Sequence, residues 1–127
     1  MRGFAVNGDW WRVRRVPTGS QRLIDRTGLR CLATTDPDEM TVWLDDSLSG
    51  DMLDRVLVHE IGHCVIWSYD LIGQLRSMVR PSHWVEAEEW VCDFVADYGL
   101  LIFGSARAVL GRDAVIKMPA AISRLVA

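Results

Sequence analysis

His59-Glu60-Ile61-Gly62-His63 lies within a run of residues compatible with an α-helix. Residues four apart on a helix stand one above the other, so the two imidazoles project from one face, close enough to hold a single ion. Glu60, one position along, falls beside such an ion rather than on it, where a carboxylate could deprotonate a water at the metal. Leu53, Leu57, Val58, Ile61 and Val65 spread apolar surface over much of the circumference of the same run. That distribution predicts a buried central helix over about residues 51–67. A polar break at 45–50 precedes it, with Ser47 or Ser49 as N-cap.

A catalytic zinc site takes three protein ligands and leaves one position open, and the motif supplies two of them. The third is expected from a second helix over about residues 84–103, with Ser82 as cap and Gly104 beyond its end. This helix carries Glu86, Glu88, Glu89, Asp93 and Asp97. Glu89 and Asp93 share a face. Glu89 could ligate the metal, and Asp93 could accept a hydrogen bond from the free ring nitrogen of a liganding His. Glu88 is a rival ligand, because its helical phase sets it in the apolar arc with Trp84, Val91 and Val95, where a carboxylate needs a partner. His83, beside Pro81, is a weaker rival. Residues 69–83 hold Gly73 and Pro81 and read as a loop with a short helix.

Upstream of the motif the pattern changes to a period of two. Trp10 to Val16 reads as a strand with Trp11 and Val13 on one face and Arg12 and Arg14 on the other. Gly28 to Thr34 reads as a second strand, Thr35-Asp36-Pro37-Asp38 as a turn, and Met40 to Leu44 as a third strand. The expected class is therefore α+β: a short, mostly antiparallel sheet packed on the motif helix, with a second long helix beside it. Residues 1–127 are expected to form one domain with its core over 28–103. A helical tail over 104–127 includes a short helix after Pro119.

Half the 127 residues are hydrophobic and 24% are charged, as in a folded globular domain. The net charge of −3 gives no general affinity for nucleic acid or an anionic membrane, and neither partner is expected. Charge is unevenly placed: residues 1–35 hold seven Arg against two acids, while residues 36–60 hold eight acids against Arg55. A basic stripe with two Trp, as in 10–16, could serve nucleic acid, but a half-buried strand with a solvated Arg face is the simpler reading. Cys31, Cys64 and Cys92 are odd in number and lack C-x-x-C spacing, which disfavours a disulfide scaffold. With no signal-peptide run near Met1 and no stretch of membrane-spanning length, a cytoplasmic location is expected. Cys64 points about 100° from the His face and reads, like Cys92, as a buried thiol. Trp67 continues the His face and is expected to line the cleft. Gly62 would let a strand or loop approach the helix closely.

His59-Glu60-Ile61-Gly62-His63 followed by Glu88-Glu89-x-x-x-Asp93-Phe94-x-Ala96 resembles the zincin superfamily, in the gluzincin arrangement with a Glu as third ligand. Within it, the chain looks most like the small ImmA/IrrE-like zinc metallopeptidase domains of phages, prophages and mobile elements. The resemblance runs over residues 28–103. It implies Zn2+ at His59, His63 and Glu89, Glu60 as general base, and the strand Met40–Leu44 as the sheet edge that aligns a peptide. The family pattern continues E-x-x-A-N-x-F-A, where this chain has Val91-Cys92-Asp93-Phe94-Val95-Ala96, and a literal alignment favours Glu88 as ligand.

The reading is a zinc metalloendopeptidase acting on a peptide or protein substrate. The alternative is a catalytically silent interaction module stabilised by zinc. An open fourth metal position beside a groove would separate the first from the second.

Overall fold

The computed structural model describes residues 2–111. It is α+β: a four-stranded mixed sheet and three α-helices. The chain divides into two compact units, residues 1–97 and 98–127. The sheet and the motif belong to the first. In chain order the elements are β1 (Gly3–Val6), β2 (Asp9–Val16), β3 (Ala33–Asp36), β4 (Thr41–Asp45), α1 (Gly50–Ser68), α2 (Ile72–Ser77) and α3 (Trp84–Leu110). Short 3-10 turns stand at Gln21–Leu23 and Pro81–His83. The helix expected after Pro119 lies outside the described residues.

The strands run in the order β1-β2-β4-β3. β1 and β3 pair antiparallel with β2 and β4 respectively, and the central pair β2 and β4 is parallel. β1 was not among the expected strands, although its signal, Asn7-Gly8 ahead of a period-two run, is a two-residue hairpin turn. Both turn residues have positive φ, +48° and +84°. The expected strand over 28–34 starts too early. Asp25 Oδ1 accepts from the backbone N–H groups of Thr27 and Leu29 at 2.8 and 2.9 Å, which curls 25–29 into a turn and delays β3 to Ala33. The turn expected at 35–38 moves with it. Asp36 ends β3 and its Oδ1 accepts from the N–H groups of Asp38 and Glu39.

Strand alternation sends Trp11, Val42 and Leu44 to one face, where they form the core with Leu48 and Cys64. Leu53, Val56 and Leu57 of α1 pack against this cluster. The indole N–H of Trp11 donates to Ser68 Oγ at 2.8 Å and pins the end of α1 to the sheet. Ser49 is the N-cap residue of α1 but makes no side-chain capping bond. In α3, Gly104 is helical rather than terminal. The helix ends at Gly111, whose φ of +106° only glycine adopts freely, and whose N–H bonds to Arg107 O at 2.8 Å. No helix among the described residues is long and apolar enough to cross a membrane.

Met40–Leu44 is not a sheet edge. β4 hydrogen-bonds to β2 on one side and β3 on the other, so neither side is open to an added strand. The edge strand on that flank is β3.

Candidate metal centre

α1 lifts His59 and His63 to one face, and their Nε2 atoms lie 3.2 Å apart. Both rings are largely buried. α3 crosses this face at Gly62, where an added Cβ would stand 3.1 Å from Cys92 Sγ and 3.4 Å from Cys92 Cα. The expected close approach at Gly62 is therefore real, but the approaching element is a helix. Contact this tight sets the α3 carboxylates against the imidazoles.

Glu89 faces both rings. Its Oε2 is 3.0 Å from His59 Nε2 and its Oε1 is 3.2 Å from His63 Nε2. The outer ring nitrogens have carboxylates of their own. Glu88 Oε2 lies 2.5 Å from His63 Nδ1, and Asp93 Oδ1 lies 2.9 Å from His59 Nδ1. The Asp93 contact is close but not aligned as a hydrogen bond, which leaves His59 Nδ1 buried without a hydrogen-bond partner. Glu88 is thus buried, as its helical phase required, and its partner is the back of His63. His83 stays out of the cluster, exposed and 3.3 Å from Glu86.

Two arginines, neither singled out in the sequence, complete the shell. Arg26 Nη2 meets Glu88 Oε1 at 3.0 Å. Arg55, one turn before His59, reaches Asp97 at 2.7 Å and Asp93 at 3.4 Å. Arg26 comes from an irregular loop far from the motif and had no local signal. Arg55 stands four residues before His59, a spacing that could have flagged it.

Glu60 is buried, with 6% of its surface exposed. Thr35 of β3 donates its hydroxyl to Glu60 Oε1 at 3.0 Å, while Oε2 lies 3.7 Å from His59 Nε2. Burial raises the Glu60 carboxyl above its ordinary 4.5, although the two imidazoles and Thr35 oppose the shift. Hydrogen bonds from His59 and His63 hold Glu89 well below the carboxylate range. Burial works against charge on both imidazoles. Bonding to Glu89 and the field of Glu60 outweigh it at His59, and bonding to Cys92, Glu88 and Glu89 does so at His63. Both imidazoles are raised above their ordinary value.

With its Nδ1–H donated to Glu88, a neutral His63 turns a lone pair towards Glu89 and towards the second ring. A His59 Nε2–H directed at that lone pair, a proton on His63 Nε2, or a metal ion would each relieve the repulsion. His59, Glu60 and His63 offer ligand atoms within 4.8 Å of one another and could hold a metal ion. The centre opens into a groove of about 910 Å³. β3, the loop over 24–32, Trp67 and Arg76 line it. Cys64 and Cys92 are fully buried.

Among known proteins, no family model matches this chain, and neither a curated protein nor a solved structure does.

Proposed function

We propose that the chain is a zinc-dependent peptidase of the gluzincin kind, with His59, His63 and Glu89 holding the ion. The convergence of these three side chains carries the reading. Their facing atoms are separated by 3.2, 3.0 and 3.2 Å. A tetrahedral ion with bonds of 2.0–2.1 Å spaces its ligands by about 3.3 Å. The nitrogen and oxygen donors suit zinc, and Glu88 and Asp93 sit where they would orient the liganding rings. When bound, zinc would polarise a scissile carbonyl and acidify a water.

Glu60 does the proton work. Its raised pKa suits a base that must also give the proton back, and Thr35 fixes one oxygen so that the other faces the centre. It takes a proton from the attacking water and delivers it to the leaving amine nitrogen. β3 carries Thr35 and forms the groove wall, so a substrate laid along that edge would cross the site beside Glu60. A protein ligand filling the fourth metal position would favour the silent module.

The test is hydrolysis of a quenched fluorescent peptide library by zinc-loaded protein. Glu60→Gln should lower the rate roughly 100-fold or more while keeping stoichiometric zinc. Full zinc-dependent activity in that variant would remove Glu60 from the chemistry. Zinc binding with no hydrolysis by the unmodified chain would leave the silent module.

A further inference from the structure

We propose that the outer face of the sheet, turned away from α1 and the metal centre, binds single-stranded nucleic acid. The side chains of β2 that alternate with the core residues Trp11 and Val13 are Trp10, Arg12 and Arg14, all exposed. With Thr41 and Trp43 of β4 they line a second groove of about 950 Å³. The peptidase reading rests on α1, α3 and β3, and Trp43 borders both grooves.

Arg12 and Arg14 make no ion pair among the described residues. Two residues apart on one strand face, their Cα atoms stand roughly 7 Å apart. The acid lining the groove, Glu39, is already paired with Arg22, whose guanidinium lies 4.5 Å over the Trp43 ring. Arg12 and Arg14 thus give this face two unpaired guanidiniums, with Asp36 on the same face across Thr41, although the chain as a whole carries −3. The expectation of no nucleic-acid partner rested on that total, which averages over surfaces of opposite sign, and on reading 10–16 as a half-buried strand with a solvated Arg face.

Trp10 indicates which anion. The residue is 51% exposed and stands between the two arginine positions and β1. It leans flat over β1: a Cβ on Gly3 would stand 2.7 and 2.8 Å from ring atoms Cζ2 and Cε2. The nearest atom to such a Cβ is the backbone O of Trp11, at 2.5 Å, so both the strand pairing and the indole require glycine there. A phosphate backbone needs unpaired cations, and unstacked bases need a flat aromatic surface. The two together mark single strands, whose stacking tolerates any base. An acidic peptide would use the arginines and leave the indole idle.

Fluorescence anisotropy of a fluorescein-labelled dT12 with the full chain, over a series of KCl concentrations, tests the proposal. Binding should weaken with salt. Arg12→Gln with Arg14→Gln should reduce affinity and flatten the log–log salt slope by about 1.4, two phosphate contacts at about 0.7 each. Trp10→Leu should cost roughly tenfold or more in affinity at an unchanged slope, and Trp10→Phe should retain most of it. Thermal melts of each variant matching the parent would show that the fold is intact, as expected for exposed positions. Absence of binding at low salt would overturn the proposal. So would indifference to Trp10→Leu combined with equal competition by oligoglutamate, which would mark an acidic-peptide face.

Discussion

At the scale of single residues, the centre is defined by which nitrogen each carboxylate addresses. Glu89 faces the two Nε2 atoms and Glu88 backs one Nδ1, though both sit next to each other on α3 and look alike in sequence. Their substitutions should differ accordingly. Glu88→Gln keeps an acceptor for His63 Nδ1 and loses only the charge and the Arg26 pair, so zinc affinity should fall about 10- to 100-fold, as is usual for groups that orient a ligand. Glu89→Ala removes a ligand and should fall further. Competition with a chromophoric chelator measures both, and a larger loss for Glu88→Gln than for Glu89→Ala would exchange their roles. Neighbours on a helix diverge by about 100°, so periodicity could name both candidates. It could not rank them, because the answer depends on the crossing of α1 by α3.

At the scale of elements, that crossing rests on Gly62 against Cys92. Cys92 is fully buried and cannot retreat, so a side chain at 62 pushes α3 and its carboxylates away from α1. Gly62→Ala gains roughly 1 kcal/mol of helix propensity but incurs an overpacking cost of about 1–3 kcal/mol. Gly62→Val should destabilise clearly and weaken zinc binding in the same variant. Cys92→Ala, by vacating the sulfur position, should recover part of the loss caused by Gly62→Ala. A double-mutant cycle read by urea denaturation should show favourable coupling of at least about 0.5 kcal/mol. Additivity would mean that the two helices are set apart by other contacts. The helices were legible from apolar periodicity and β2 from its alternation. β3 was displaced by side-chain capping at Asp25, and α3 outran Gly104 because alanines and leucine follow that glycine.

At the scale of the molecule, the metal would tie α1 to α3, and pH should reveal the tie. In the metal-free chain His59 and His63 are raised above 6.5. Their contribution to stability is full below that value and is lost as pH rises through the raised ones. Glu88 and Glu89 are lowered from 4.5, so theirs holds above 4.5 and is lost as pH falls through the lowered values. Glu60, raised by burial, loses its contribution as pH rises through its own folded value. The metal-free fold should thus be most stable near pH 4.5, weaken upward from there as Glu60 ionises, and weaken further above about 6.5 as the imidazoles lose their protons. Zinc takes the place of the lost protons, so the Tm gap between loaded and chelated protein should widen from pH 6 to pH 8. At free zinc near 1,000 times Kd the stabilisation is about 4 kcal/mol, a shift of at least about 10 °C. A gap that narrowed with rising pH would contradict the protonation scheme. Spacing along the chain was enough to specify the pair of imidazoles, the carboxylate of Glu60 beside them and the helix that carries them, since all three follow from 3.6-residue periodicity. Setting Glu89 against both Nε2 atoms with Glu88 behind one Nδ1, bringing Arg26 and Thr35 to the cluster, and making β3 rather than β4 the open edge required the folded chain. Those outcomes depend on how separate elements pack and pair, and no local pattern encodes the distance between them.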